Sequence, residues 1–451
     1  MKTLDRERLA ALMERERATF TREHPKSRQF HEQAGRSLLS GVPMNWMTRW
    51  PGAFPIVAAT ANGARLVDLD GHEYVDFCLG DTGAMAGHAP APTVAAVERQ
   101  ARRGLTTMLP SEDSAWVGDE LRRRFGLHYW QFTLSATDAN RFAIRLCRQI
   151  TGRSKILVFD HCYHGSVDET FATVDEAGQV GPSFGNIGPG VDPALTTRVV
   201  QWNDVETLER ELAHGDVACV LAEPAMTNVG IVLADDGYHA ALRELTRKYD
   251  TLLIIDETHT LCAGPGGYTR AYGLEPDLLT IGKAIGGGVP CGAYGMTEAV
   301  AERVLAHTIW DVADVGGIGG TLAANPLSAA AMRATLGEVL TDEAFARMIA
   351  LGERFEQGVA EIITTHDLPW HAVRIGCRIE YLFVRERPRN GGAAGAAMDH
   401  DLDAYLHLYM LNRGVLMTPF HMMALMSPAT TAEDVDRHTA AFREAVEELF
   451  A

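Results

Sequence analysis

The sequence predicts an α/β protein whose large domain holds a mostly parallel sheet and whose smaller domain is of the α+β kind. Residues 252–255 and 278–281 are largely apolar and lack polar alternation, which is typical of strands buried on both faces. From about residue 130 to residue 296, strand patterns alternate with helical ones, as in a parallel sheet built from βαβ units. The C-terminal part mixes alternating strands with amphipathic helices, which favours a separate α+β block.

The composition is that of an acidic protein with enough apolar residues for a large core. Of 451 residues, 46% are hydrophobic, and 41 Lys and Arg stand against 59 Asp and Glu, giving a formal net charge of -18. This balance argues against nucleic acid and anionic membranes as partners, because both select basic surfaces. The length indicates two or three domains.

The cysteine pattern and the N-terminus favour a cytoplasmic protein. The seven cysteines are scattered singly without a CxxC pair, so we expect neither a disulfide framework nor a structural metal site. No apolar run reaches membrane-spanning length. Residues 1–20 are charged throughout, lack the apolar core of a secretion signal and carry acidic residues that a mitochondrial presequence avoids.

The N-terminal third begins with helix and loop signals. The first 35 residues predict an amphipathic helix and its exit, and an irregular loop rich in Gly, Pro and Trp follows at 40–55. Residues 64–77 contain two alternating strands joined by an Asp-Gly pair, which predicts a hairpin. Apolar residues recur at helical spacing at 92–103 and 111–124, which predicts helices that pack one face on the sheet.

A strand candidate at 130–134 leads into Ser135, Ala136 and Thr137 and then into a helix. Small hydroxylated residues at this point form an anion site, because free backbone N–H groups and the helix dipole both point at the turn. The plainer interpretation is an N-cap, in which Ser135 or Thr137 only satisfies helix donors. The sequence alone leaves both interpretations open.

The next strand candidate, at 155–159, is followed by Tyr163 and His164. An aromatic residue close to a glycine at a strand end suits stacking on a flat ring. A zinc site formed by His161, Cys162 and His164 is the rival interpretation. It is disfavoured because three ligand types within four residues do not easily converge on one ion.

Two further strands end in charged residues. A loop rich in Gly and Pro at 175–192 and a helix near 204–213 precede a buried strand at 217–222, which ends in Glu223. The strand at 252–255 delivers Asp256. Because open α/β sheets bind their ligands at the carboxyl ends of their strands, we expect these acids at the ligand-binding edge.

The strand at 278–281 delivers Lys283 to the same edge, ahead of a three-glycine tract that permits close approach of a ligand. Burial favours the neutral form of a lysine amine, which can form an imine with a carbonyl, and a buried carboxylate such as Asp256 keeps a pyridine nitrogen protonated. This chemistry suits pyridoxal phosphate. Taken singly, Asp256 and Glu257 could form a surface turn after a core strand. Gly282 and Lys283 could likewise be half a P-loop, although Ala284 stands where a Walker motif requires Ser or Thr.

The C-terminal part carries helical and strand patterns without an internal repeat. We predict a long helix from Pro326 through 328–340, further helices at 343–363, 401–413 and 431–449, strands at 372–375, 378–384 and 415–417, and a small-residue loop at 388–398.

The segments IIDETHT at 254–260 and LTIGKAIGGG at 279–288 resemble the class III, omega-type, pyridoxal-phosphate-dependent aminotransferases. The likeness extends to the glutamate-1-semialdehyde aminomutases and β-amino-acid aminotransferases of that family. It implies fold type I with a seven-stranded, mostly parallel sheet, and pyridoxal 5'-phosphate as cofactor. It also implies that Lys283 is the Schiff-base lysine and that Asp256 is the partner of the pyridine nitrogen.

The resemblance implies further cofactor-binding residues, although the sequence departs from the family pattern in places. Ala136 stands where the phosphate-binding turn usually has glycine, and Asp138 stands where it has glutamate. His259 takes a position where relatives place glutamine or methionine near the phenolic oxygen, and a structural histidine is the alternative. The implied cofactor contacts are Ser135, Ala136, Thr137, Tyr163, His164, Glu223, Asp256, Thr258, His259, Lys283 and Thr321.

The substrate pocket is predicted to be apolar and tolerant of aromatic groups. Relatives hold a substrate carboxylate with an arginine from the N-terminal loop or from the C-terminal segment, where this chain has Phe420. We predict a wall of Trp46, Phe420 and the neighbouring methionines, with Arg49 as the candidate anion anchor. The alternative for Arg49 is stacking on an indole.

The resemblance implies an aminotransferase that moves an amino group between an amine or amino acid and a keto acid, and a homodimer in which Thr321 reaches the partner's site. An aminomutase of the glutamate-1-semialdehyde type or a racemase could use the same residues. A degenerate binding module and a nucleotide-binding α/β protein are the alternatives outside this chemistry. The predicted domains are 1–64, which joins the small domain, 65–325, which binds the cofactor, and 326–451.

Overall fold

The computed structural model describes residues 4–307 and 317–451, which divide into two compact units. One unit comprises residues 91–342 and 388–396, and the other comprises residues 1–90, 343–387 and 397–451. These limits differ from the predicted ones at 65 and 325. The hairpin before residue 77 groups with the C-terminal part because Val75 pairs in parallel with Val415.

The strands are short and close in position to the apolar runs of the sequence. In chain order they are β1 Ala58–Asn62, β2 Arg65–Asp68, β3 Glu73–Asp76, β4 Tyr129–Thr133, β5 Lys155–Phe159, β6 Ala172–Val174, β7 Val180–Pro182, β8 Thr197–Val200, β9 Val217–Ala222, β10 Leu252–Asp256, β11 Leu278–Gly282, β12 Gly292–Met296, β13 His371–Ile375, β14 Arg378–Leu382, β15 Val415–Leu416 and β16 Met423–Leu425.

The helices range from a single turn to nearly seven turns. In chain order they are α1 Arg6–Glu23, α2 Pro25–Ala34, α3 Ala91–Ala101, α4 Glu112–Phe125, α5 Ala136–Thr151, α6 Pro193–Thr196, α7 Val205–Leu212, α8 Tyr238–Lys248, α9 Gly267–Ala271, α10 Glu298–His307, α11 Pro326–Ala334, α12 Asp342–Thr365, α13 Gly391–Ala396, α14 His400–Leu411 and α15 Ala432–Leu449. Within residues 4–307 and 317–451, none of them has the length and apolarity to span a membrane.

The central sheet of the first unit has seven strands in the order β4-β12-β11-β10-β9-β5-β8. Neighbouring strands are parallel except at β12, which runs antiparallel to both β11 and β4. This confirms the predicted mostly parallel, seven-stranded sheet. Every residue of β9, β10 and β11 is buried, which explains why their sequences lack polar alternation.

Both faces of this sheet are covered, so its strands contribute to two separate apolar cores. Ile156 and Val158 of β5 pack in one core with helix α5, whereas Leu157 and Phe159 pack in the other with helices α7 and α8. The parallel strands therefore end at one edge inside a rigid frame, and that edge carries the charged residues singled out above.

The second unit contains a four-stranded sheet, β1-β2-β3-β15, and a three-stranded sheet, β13-β14-β16. The predicted N-terminal helix is two helices, because Pro25 opens α2 and displaces His24 from helical geometry. Nδ1 of the buried His24 donates to the carbonyl of Phe20, and its Nε2 lies 2.8 Å from the hydroxyl of Tyr74. These bonds fix the end of α1 to the hairpin.

The predicted long helix from Pro326 is helical to Val339, as α11 to Ala334 and then as a π-turn at Thr335–Val339. One prediction for the C-terminal part was wrong. The small-residue segment 388–398 is not a loop throughout, because it contains α13. A Cβ on Gly391 would lie 2.3 Å from the carbonyl oxygen of Asp160, so only glycine lets this helix lie against the end of β5.

Candidate active site

Asp256 and Lys283 extend from neighbouring parallel strands at the same edge of the central sheet. Asp256 is opposite Thr280 in the register of β10 and β11, and Lys283 follows β11 directly. Lys283 has φ of 50°, a left-handed conformation that is uncommon for a residue with a side chain and is often found at functional sites. It begins a 3₁₀ turn, Lys283–Gly286, which turns the chain away from the sheet.

The Asp256 carboxylate is buried and accepts three hydrogen bonds. Asn140 Nδ2 and His164 Nδ1 each lie 2.9 Å from Oδ2, and the Thr258 backbone N–H lies 3.0 Å from Oδ1. Burial alone would raise the pKa of this carboxyl, but the hydrogen bond and charge of His164 outweigh it and hold the pKa at about 2. Asp256 is therefore a permanent buried anion.

His164 responds to the same contact in the opposite direction. Burial alone would lower its pKa, but the hydrogen bond to Asp256 outweighs burial and raises the pKa well above that of a free histidine. The pair is held by Asn140, whose Nδ2 also donates to the His164 carbonyl at 3.0 Å and whose Oδ1 accepts from Thr280 at 2.6 Å. Asn140 is a site residue that the sequence analysis did not single out.

Glu257 is also buried, so the interpretation of this pair of acids as a surface turn is wrong. Asp256 and Glu257 are 4% and 0% exposed. Glu257 accepts hydrogen bonds from the backbone N–H groups of Tyr268 and Thr269 and from the Thr260 hydroxyl. Burial raises the pKa of Glu257. Its hydrogen bonds hold the loop that follows β10 in place.

The N-terminus of α5 lies at the same edge. Ser135 is the N-cap residue, and its hydroxyl accepts from the Asp138 backbone N–H at 3.2 Å. Ala136 is the first helical residue. A Cβ on Gly282 would lie 2.9 Å from the Cβ of Ala136, so the Ala136 methyl fits because residue 282 is glycine. The structure therefore has the N-cap, and phosphate binding at this N-terminus stays a prediction.

The turn after β5 packs tightly on this helix. Gly165 has φ of 79°, and a Cβ there would lie 2.0 Å from the hydroxyl oxygen of Thr137. That hydroxyl accepts from the Ser166 backbone N–H at 3.2 Å. The contact holds His164 toward Asp256 and leaves Tyr163 46% exposed, in a position accessible to a ligand.

His161, Cys162 and His164 do not converge on a common point. His161 Nδ1 pairs with Asp160 at 3.1 Å, whereas His164 Nδ1 contacts Asp256. Cys162 Sγ lies 3.9 Å from the Thr170 carbonyl. Cys162 also contacts His164, but among the described residues these three do not form a group with all ligand atoms within 4.8 Å of one another, which does not favour the zinc interpretation.

A row of hydrogen bonds connects Lys283 to Glu223. Lys283 Nζ lies 2.5 Å from His259 Nε2, and His259 Nδ1 lies 2.7 Å from the Thr227 hydroxyl. Thr227 donates in turn to Glu223 Oε2. The structure thus brings Glu223, His259 and Lys283 together as the family resemblance implied, and adds Thr227, which the sequence analysis did not mention.

The remaining predicted cofactor residues differ in exposure. Thr258 is buried immediately after Asp256. Thr321 is exposed in a turn before α11 and lines a groove of about 750 Å³ together with residues of β4. Its predicted role across a subunit interface is not tested by a single chain.

The predicted substrate residues lie together in the second unit. The Trp46 and Phe420 rings are 6.0 Å apart in an edge-to-face arrangement, and the Arg49 guanidinium lies 5.9 Å from the Phe420 ring centroid. Arg49 thus faces phenylalanine, where stacking on an indole was the stated alternative. Met417, Met422 and Met423 are buried, at most 2% exposed, and the predicted methionine wall stays a prediction.

The donor set fits pyridoxal phosphate. It offers a lysine amine, a buried carboxylate held as the anion, and a helix N-terminus for a phosphate, all on the strand ends of one sheet. Lys283, Asp256 and the turn at 135–137 would hold the imine carbon, the ring nitrogen and the phosphate, respectively.

Comparison with known proteins places this site in a family. A family model described as Aminotransferase class-III matches residues 46–446. The glutamate-1-semialdehyde 2,1-aminomutase of Thermomicrobium roseum is 35% identical over 411 residues, covering 88% of this chain and 92% of that protein.

Among solved structures, a glutamate-1-semialdehyde-aminomutase from Pseudomonas aeruginosa PAO1 is 53% identical, with a TM-score of 0.97 over 99% of both chains. A lysine-to-alanine variant of that protein was solved in complex with PMP. An omega-transaminase from Sphaerobacter thermophilus is 29% identical, with a TM-score of 0.86 over 96% of this chain and 99% of that one.

Proposed function

The chain belongs to the class-III aminotransferase family and uses pyridoxal 5'-phosphate, and on this premise we propose that it is an aminomutase of the glutamate-1-semialdehyde type. Such an enzyme moves an amino group within one carbon skeleton. The sequence predicted intermolecular amino transfer first and the aminomutase as the alternative. The 53% identity to a structure described as an aminomutase supports the alternative better.

The observation that carries the chemistry is the buried anion at Asp256 beside Lys283. When bound, pyridoxal phosphate supplies a carbonyl that captures amines and a ring that accepts electrons from the reacting carbon. Asp256, fixed by Asn140 and His164, keeps a negative charge where a protonated ring nitrogen requires one. Lys283 holds and then moves a proton at its Nζ once the substrate amine has displaced it.

Arg49 is our candidate for holding a substrate carboxylate, beside the edge formed by Trp46 and Phe420. Arg49 is exposed, and its guanidinium lies 5.9 Å from the centroid of the Phe420 ring. A charge-assisted pair with a carboxylate would orient the substrate more strongly than the flanking aromatic rings do.

A second candidate function is transamination of an apolar or aromatic amino acid, including a β-amino acid, with a keto acid as acceptor. The paired aromatic rings of Trp46 and Phe420 favour it, because they offer an apolar edge to a substrate side chain. The likeness to an omega-transaminase supports it as well.

Dependence on an amino acceptor separates these functions. We would incubate the enzyme with glutamate-1-semialdehyde alone, and with β-amino acids in the presence or absence of pyruvate or 2-oxoglutarate. Turnover of the semialdehyde without added keto acid is expected. A strict requirement for a keto acid would establish the transaminase instead, and inversion of an amino acid without change of skeleton would establish a racemase.

We also propose a homodimer formed over the groove that Thr321 lines. Met108, Leu109 and Tyr129 line this groove and are 79%, 69% and 49% exposed, an apolar patch of the kind that subunits bury.

The seven cysteines are free, which supports a reducing compartment such as the cytoplasm.

Sedimentation tests the dimer. The wild type is expected to sediment as a dimer, and Leu109→Glu is expected to shift it toward the monomer and weaken cofactor retention. Leu195→Glu is the matched control, because Leu195 is equally exposed at 66% but lies outside the groove. A fully active monomer at assay concentration would contradict the proposal.

A further inference from the structure

A row of polar side chains runs from the Lys283 amine into the interior of the first unit. The links are Lys283 to His259 at 2.5 Å, His259 to Thr227 at 2.7 Å, and Thr227 to Glu223. His259 and Glu223 are 6% exposed and Thr227 is fully buried. A carboxylate is costly to bury, so its presence at the end of this row calls for a physical reason.

The hydrogen bonds in this row can point in only one direction. An ionised carboxylate only accepts, so the single hydroxyl proton of Thr227 is donated to Glu223. The Thr227 oxygen must then accept from His259, which places the proton of the neutral imidazole on Nδ1. Nε2 is left with a lone pair that faces Lys283 Nζ.

A further contact fixes the Glu223 carboxylate in this role. Asn228 Nδ2 donates to Glu223 Oε1 at 3.0 Å, so one oxygen is held by an amide and the other by the Thr227 hydroxyl. Both oxygens therefore accept, which is the arrangement that orients the row. The same logic of acid, orienting hydrogen bond and histidine base operates in hydrolase triads.

We propose that His259 is the proton acceptor for Lys283, and that Thr227 and Glu223 are positioning residues that fix its tautomer. The ammonium form of Nζ must release one proton before its lone pair can bond to the carbonyl carbon. His259 Nε2 receives that proton, and the Glu223 carboxylate stabilises the resulting imidazolium through Thr227. As the N–C bond forms and the C=O bond breaks, one proton moves from Nζ to the carbonyl oxygen, and the imidazolium returns its proton to that oxygen, which leaves as water and completes the protonated imine. The proposal rests on the proposed role of Lys283, and it gives His259 a catalytic role in place of a structural one.

Cofactor capture by the full-length chain tests this without an activity assay. The protein freed of cofactor is mixed with pyridoxal phosphate, and the rise of visible absorbance is followed in a stopped-flow instrument. General base catalysis contributes about 100-fold or more, so His259→Ala should slow the rise by about that factor. Added imidazole should restore much of the rate, in proportion to its unprotonated form between about pH 6 and 8.

The orienting residues have their own matched pair. Thr227→Val removes the hydroxyl at constant shape and should slow cofactor capture by about tenfold, as expected for a residue that orients a catalytic group. Thr227→Ser keeps the hydroxyl and should capture cofactor at the wild-type rate. His161→Gln is the control for loss of a histidine near the same edge, and it should change nothing. If His259→Ala does not fold, His259→Gln and the Thr227 pair supply the same comparison.

The outcomes separate this inference from the proposed function. If the wild type forms no absorbing adduct that borohydride fixes, the role of Lys283 itself fails. If the wild type forms the adduct but His259→Ala captures cofactor within threefold of it, the proton-acceptor role is overturned. A slow His259→Ala that imidazole does not rescue, together with a normal Thr227→Val, would assign His259 a structural role and also overturn it.

Discussion

Replacing Asp256 with asparagine removes the buried charge and keeps the shape. The hydrogen bond and charge of His164 hold the pKa of Asp256 at about 2, against 3.8 for a free aspartate, so the site favours the anion. Asparagine cannot carry that charge, and its amide N–H would face donors where the carboxylate accepts from Asn140 and His164. We expect kcat to fall by about 10-fold or more, which corresponds to about 1.4 kcal/mol or more of transition-state stabilisation.

The assay measures kcat beside a titration of visible absorbance with pyridoxal phosphate, which shows whether the variant still binds cofactor. Glu257→Gln is the matched control, because Glu257 is the adjacent buried carboxylate but bonds only to its own loop. It should lower thermal stability and leave kcat within about threefold. An Asp256→Asn loss below tenfold, about 1.4 kcal/mol, or an equal loss in Glu257→Gln, would refute the reasoning.

Three further predictions concern substrate, packing and pH. Arg49→Ala should reduce activity on a carboxylate-bearing substrate by 10- to 100-fold, about 1.5 to 3 kcal/mol, and spare a matched simple amine; equal losses in paired assays would remove Arg49 from the site. Gly282→Ala would place a Cβ 2.9 Å from the Cβ of Ala136. Equilibrium dialysis should therefore show cofactor binding several-fold more weakly, and the double variant Gly282→Ala, Ala136→Gly should recover part of the affinity. Burial lowers the pKa of His438 to about 3, so only the unfolded chain takes up its proton below pH 6.5. Urea unfolding should show the wild type losing about 1 kcal/mol more than His438→Phe between pH 6.5 and 5.5, and parallel losses would contradict this.

The parts of the fold that local sequence determines were predictable. The strands at Lys155–Phe159 and Val217–Ala222 have the predicted bounds, because uninterrupted apolar runs bordered by polar residues allow few alternatives. Strand β12, Gly292–Met296, was not predicted as a separate element, because its glycines disfavour an isolated strand. It forms because its neighbours pair with it, and a Cβ on Gly295 would lie 2.7 Å from the Trp130 indole.

The residues of the candidate site also divide into some that the sequence could predict and some that it could not. Asp256 and Lys283 could be found because ligands bind at the carboxyl ends of parallel strands, and both residues stand there. Asn140 and Thr227 could not, because their roles depend on contacts with residues 116 and 32 positions away. Sequence also does not distinguish a buried flexible side chain from one that lines a pocket, so the burial of Met422 and Met423 could not be foreseen.

The most direct test of the account is to trap the cofactor on the protein. Borohydride reduction of the holoenzyme followed by peptide mass spectrometry should find pyridoxyl phosphate on Lys283, with no stable adduct in Lys283→Ala and an intact fold by circular dichroism. Modification of a different lysine in the wild type, or undiminished adduct formation and turnover in Lys283→Ala, would contradict the assignment of this strand end as the active site.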